Sequence, residues 1–205
     1  MEAGSSSGPE VLQLRAVVRS ISPLIWRRLL VRGDTSVARL HQILQVAFGW
    51  QDMHLHGFEI RGREYGVHQE GGVFFDTDAH KALIGHLKLR RLERFTYEYD
   101  FGDLWVHDLR IEALPLDIKR VYPVCIAGRR AAPPEDCGGP HAFMATRFDY
   151  TLIGESRSRQ EFEDLLDDEV EDEEWAILRH YQPDRFDRRA VNRRLAALAA
   201  PSQER

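Results

Sequence analysis

The stretch Arg94–Glu112, RFTYEYDFGDLWVHDLRIE, decides the fold. Read with a period of two, it is a pair of strands meeting at a Phe101-Gly102-Asp103 corner. Phe95, Tyr97 and Tyr99 take one face of the first strand, and Thr96, Glu98 and Asp100 take the other. On the second strand Trp105, His107, Leu109 and Ile111 share a row that Asp103 begins. The spacing therefore predicts a histidine and an acid on the side that faces the core.

Upstream, Val11–Ile21 alternates with Leu12, Leu14, Ala16 and Val18 on one face, which predicts a half-buried strand. Ser22-Pro23 breaks it and Ile25–Val31 returns, so the chain opens with an antiparallel pair. Trp26 beside Arg27 and Arg28 reads as a ring at a sheet margin under arginine stems, with a binding role as the alternative. Asp34, Thr35 and Ser36 offer N-caps for an apolar pattern of helical period, ending at Gly49; this predicts a helix over about 36–48. Beyond it, His54, His56, Phe58 and Ile60 alternate onto one face of a further strand, with Arg63–Val67 returning across Gly62. Gly71-Gly72 marks a turn, and Ala79–Leu87 reads as a short helix.

Tyr122–Gly139, YPVCIAGRRAAPPEDCGG, is broken by prolines and glycines and reads as an irregular loop. The remainder is helical in pattern, with Phe162, Leu165, Leu166, Trp175, Leu178 and Tyr181 as an apolar stripe. Asp187 is placed to cap a last helix through Val191, Leu195 and Leu198. The expectation is an α+β fold: a single domain over 11–200, mainly antiparallel sheet, covered by the 36–48 helix and followed by C-terminal helices. Residues 1–10 and 201–205 read as tails.

At 205 residues the chain can bury a sizeable core, and no apolar run approaches the ~20 residues of a membrane span. The start lacks a basic region followed by an apolar one, against a secretory signal. Two cysteines make a thin disulfide framework, so a cytoplasmic location is expected. The net charge of -5 hides an asymmetry, because Glu161–Glu174 is dense in acid and lacks any basic residue. The rest is mildly basic, which permits contact with nucleic acid.

His-x-His on a strand suits two ligands on one metal. If the strand of His54 and His56 neighbours that of Asp103 and His107, three imidazoles and a carboxylate converge, a set fitting zinc or iron(II). A polar small molecule is the other occupant of such a pocket. Trp50, Tyr99, Asp100, Trp105, Glu135, Asp136 and Cys137 are its expected walls and covering loop. The bland reading is a buried hydrogen-bonded network that fixes the fold. Carboxylates beside Cys137 disfavour a resting thiolate there. The sequence has no P-loop, GxGxxG, GxSxG or HExxH, and it discloses no reaction.

Several motifs together carry a family resemblance: Trp26-Arg27-Arg28, Leu40-His41 with Gln45, Phe48-Gly49-Trp50, His54-Leu55-His56 with Phe58, Tyr99 to Asp103 with Trp105 and His107, and Pro133 to Gly139. The chain resembles the plasmid pRiA4b ORF-3-like family, whose members also go under the name of a TnpR-like passenger protein of an insertion element. The resemblance implies one α+β domain and an association with mobile elements, without supplying a mechanism. It makes a DNA-binding or protein-binding accessory role the alternative, with Arg27, Arg28, Arg129 and Arg130 as its nucleic-acid contacts. One departure is Ala132, where many relatives carry a cysteine before the paired prolines.

Overall fold

The alternating hairpin forms as expected and becomes the centre of one large sheet. The computed structural model describes residues 10–68, 73–113, 121–155 and 181–199, with Gln160 and Glu163 between the last two. The expected tails, apart from Glu10, and the acidic 161–174 segment, apart from Glu163, lie outside the described residues.

The strands are β1 (Val11–Val18), β2 (Trp26–Arg32), β3 (His56–Ile60), β4 (Arg63–Gly66), β5 (Thr77–Asp78), β6 (Arg94–Tyr99), β7 (Trp105–Ala113) and β8 (Val124–Arg129). They form an eight-stranded sheet in the order β5-β4-β3-β6-β7-β1-β2-β8. Every pairing is antiparallel except β4 with β5. The fold is α+β.

Register ties the two periodic rows together. Tyr97 lies opposite His107 and Tyr99 opposite Trp105, and all four side chains are buried. Asp103 does not begin the β7 row. It sits in the turn, where Asp100 and Leu104 have positive φ and Asp100 Oδ1 accepts from Gly102 N at 3.0 Å and Asp103 N at 3.2 Å.

Helix α1 (Val37–Phe48) buries its apolar stripe against this face. Ser36 accepts from Arg39 N at its start, and Gly49 closes it in the left-handed conformation that glycine tolerates. Helices α2 (Gly139–Glu155) and α3 (Arg188–Ala199) follow, and Asp187 Oδ1 caps α3 by accepting from Ala190 N at 2.9 Å.

Two expectations need correction. Ala79–Leu87 is not an α-helix; only Ile84–Leu87 forms a 3-10 turn. Its backbone is committed elsewhere: Ala79 and Ala82 carbonyls accept from Ala38 N and Val37 N, two amides that the first turn of α1 leaves without internal partners. Nor is Tyr122–Gly139 irregular throughout, because β8 occupies six of its residues at the sheet edge. Its exposed side is held by α3, where Asn192 accepts from Cys125 N and donates to Cys125 O at 2.7 and 2.9 Å.

Candidate metal centre

The middle of α1 turns two polar groups into the sheet. His41 and Gln45 are one helical turn apart and both are buried beside the apolar stripe. They meet the phenol of Tyr97: His41 Nδ1 lies 2.8 Å from Tyr97 Oη, and Gln45 Nε2 donates to the same oxygen at 3.0 Å. Gln45 also accepts, at Oε1, from Asp52 N at 3.0 Å, fixing the chain just after the helix. Asp52, at φ +61, thereby brings its carboxylate to 2.6 Å from His41 Nε2.

His56, the first residue of β3, completes the cluster. Its ring stacks on His41 with centroids 3.3 Å apart and planes 2° from parallel. His56 Nε2 is buried without a hydrogen-bond partner. Ligand-capable atoms of His41, Asp52 and His56 all lie within 4.8 Å of one another. They line a cavity of about 470 Å³ that His54 and His80 also border.

Burial sets the electrostatics. It pushes the His41 imidazole below its usual range against the opposing pull of Asp52. For His56, burial and then the neighbouring His41 and His80 lower the value to about 3. Both rings are therefore neutral at physiological pH, the state in which imidazole nitrogen is a ligand. With His41 Nε2–H donating to Asp52, the Tyr97 hydroxyl donates to Nδ1, while Gln45 donates to the phenol oxygen.

The quartet expected from sequence does not converge. His54 precedes β3 instead of lying on it, and it faces a second set: Asp136 Oδ1 at 3.0 Å and Asp100 Oδ2 at 3.7 Å, without hydrogen-bond alignment. These three also bring ligand atoms within 4.8 Å of one another. His107 belongs to neither set. It is wholly buried against Phe48, Trp50 and Tyr97, and its Nδ1 donates to Trp105 O at 3.0 Å. The Asp103 carboxylate accepts from Gly138 N at 3.1 Å, tying the turn to the proline-glycine loop.

The physical reason is strand order. β6 lies between β3 and β7, so His56 and His107 are two strands apart, about 10 Å. The rings of Tyr97 and Tyr99 occupy the positions between them on β6.

Trp50, Tyr99, Trp105 and Glu135, expected as pocket walls, meet at the α1–β3 connection but do not border the cavity. Trp50 stacks on Tyr99 at 5.1 Å, lies 6.0 Å from Trp105 and donates from Nε1 to Pro133 O at 3.0 Å. Glu135 accepts from Tyr99 Oη at 2.5 Å and from Gln51 N at 2.9 Å, so the loop clasps the segment that carries Asp52 and His54. Burial, and then Asp103, pushes the Cys137 thiol up to about 12, against a thiolate role.

The four arginines expected to contact nucleic acid do not form one set. Arg27 is in the core, and Arg130 is paired with Asp184 at 2.9 Å. Sequence reading missed His41, Asp52 and Tyr97 as site residues. Their signal was present in part: His41 and Gln45 interrupt an apolar helix face at i, i+4 spacing.

Sheet, covering helix and polar cavity define an α+β domain with a histidine and aspartate cluster between α1 and the β3 edge of the hairpin. The chain belongs to the plasmid pRiA4b ORF-3-like family, whose profile matches residues 10–193. It is similar to the "Uncharacterized protein y4hQ" of Sinorhizobium fredii (strain NBRC 101917 / NGR234). The identity is 31% over 135 residues, covering 65% of this chain and 70% of the relative. Its fold is similar to the crystal structure of a protein of unknown function, MM3350 from Methanosarcina mazei Go1. That likeness has a TM-score of 0.68 at 29% identity and covers 90% of this chain and 98% of the other. Among the described residues, no helix is long and apolar enough to cross a membrane.

Proposed function

We propose that the domain binds one divalent transition metal through His41, Asp52 and His56. The observation that carries this reading is the buried, unpartnered Nε2 of His56 beside the His41–Asp52 pair on a cavity wall. A buried nitrogen without a partner is costly, and a cation satisfies it. Two imidazoles and one carboxylate with open positions toward a cavity suit iron(II) or zinc. Tyr97 would then orient His41 from behind, accepting from Nδ1–H once Nε2 turns to the metal. The cavity leaves room for a small polar ligand on the open positions, with His54 and His80 at its rim.

The test is calorimetric titration of untagged protein with zinc and with iron(II) under reducing, anaerobic conditions. One equivalent is expected to bind. His56→Ala and Asp52→Ala should each weaken binding by about 100-fold or more, and Tyr97→Phe by about 10-fold. Failure to bind stoichiometric metal, or undiminished binding by His56→Ala, would sink the reading.

A further inference from the structure

The opposite face of the sheet carries an arrangement that the cavity does not use. Strand register places Arg94 opposite Arg110, Arg110 opposite Arg15, and Arg15 opposite Arg28, one continuous row across β6, β7, β1 and β2. Each alternates with core side chains: Phe95, Leu109 and Ile111, Leu14 and Ala16, Arg27 and Leu29. The four therefore point away from α1. Three strand spacings make the row about 14 Å long.

Like charges directly opposite on neighbouring strands destabilise a sheet, and here three such pairs follow in succession. The face answers them only in part. Glu112 takes Arg28 at 2.5 Å and Arg110 at 3.1 Å, and Asp108 takes Arg19 at 2.6 Å. Among the described residues, Arg15 and Arg94 have no carboxylate partner. Arg15 lies instead over the Trp26 ring at 5.2 Å, shared with Arg28 at 5.4 Å. The Nε atoms of Arg15 and Arg110 are buried without a hydrogen-bond acceptor. Exposed Arg129 stands opposite Trp26 on β8 and widens the basic strip.

We propose that this face binds a single nucleic-acid strand through its phosphodiester backbone. Arginine forks match phosphate oxygens, and Arg15 and Arg94 carry guanidinium charge that no carboxylate answers among the described residues. A linear row fits a linear polyanion better than one isolated anion. Trp26 adds a ring at the strip's edge against which a base can stack. A duplex fits less well, since among the described residues this face presents a row of strand side chains with no helix to enter a groove.

Fluorescence anisotropy with a labelled 20-nucleotide oligo-dT, and with a 20-base-pair duplex, tests this from 50 to 200 mM salt. Oligo-dT should bind, with log K falling against log salt at a slope near -2 to -3, about 0.7 for each of four neutralised phosphates. Arg15→Gln with Arg94→Gln should weaken binding at least ~10-fold and reduce that slope by about 1. Lys81→Gln, outside the arginine row and paired with Asp78, should leave it unchanged. If the double variant does not fold, Arg94→Gln alone should cost roughly 3-fold. No binding at 50 mM salt, tighter binding of the duplex, or a folded arginine variant binding like the parent would overturn the proposal. Because the row and the metal cavity lie on opposite faces, either reading can fail without the other.

Discussion

Replacing Arg27 with alanine is expected to destabilise the fold by about 3–5 kcal/mol, the scale for stripping partners from buried polar groups while opening a cavity. Arg27 is 1% exposed and sits at a junction of three elements. Its Nε donates to Ala47 O at 2.8 Å, and Nη1 donates to Trp26 O at 2.9 Å and Arg129 O at 3.0 Å. The first of these carbonyls belongs to the last turn of α1, which lacks internal donors and carries the negative end of the helix dipole. The guanidinium is held between rings, 5.0 Å from the Phe48 centroid and 4.0 Å from that of Phe186. Burial lowers its pKa to about 10, so it remains charged at neutral pH, with carbonyl dipoles and ring faces as its counterweights. Alanine removes all of these at once. Methionine keeps the stem and loses only the donors, so Arg27→Met should fall between alanine and the parent. Urea unfolding of the three proteins measures the order. A loss below about 1 kcal/mol for alanine would mean that water reaches the stranded carbonyls.

Arg27 also shows where sequence reading met its limit. Alternation identifies the inward face of β1, and Ser36 and Gly49 bound α1, because those signals are local. A Trp-Arg-Arg run cannot by itself reveal which arginine faces inward. That follows from Phe186, far along the chain, closing over Gly128, where a Cβ would lie 2.5 Å from its ring. Likewise β8 is made by non-local partners: β2 on one side and the Asn192 amide on the other. No local pattern in a proline-rich stretch announces either.

The candidate site failed for the same kind of reason. His56 stacks on His41 on the inner side of the sheet, whereas His54 precedes β3 and faces Asp136 and Asp100. Their company was misassigned, since strand adjacency is a property of topology and β6 intervenes. Gln45 holding Asp52 at positive φ, seven residues on, is a turn beyond the helix end that the periodicity of α1 does not encode.

His107, removed from the ligand set, acquires a different measurable role: stability should fall as pH drops from about 6.5 to 4. Complete burial is the main cause that pushes its folded-state pKa down to about 4. In the unfolded chain the value returns to about 6.5. Above pH 6.5 the ring is neutral in both states, so this residue contributes no pH dependence. Between the two values the unfolded chain binds a proton that the folded chain refuses. Stability therefore declines by about 1.4 kcal/mol per pH unit, about 3–4 kcal/mol in all, and the contribution flattens below the folded value. His41 and His56 add slopes of the same sign, so the parent profile alone cannot assign the effect. His107→Gln separates it, since the amide can still donate to Trp105 O but does not titrate. Between pH 7, 5.5 and 4.5 the urea midpoint of the parent should fall further than that of the variant, whatever their offset at pH 7. Parallel profiles would mean that water or a neighbouring acceptor lets His107 protonate inside the fold.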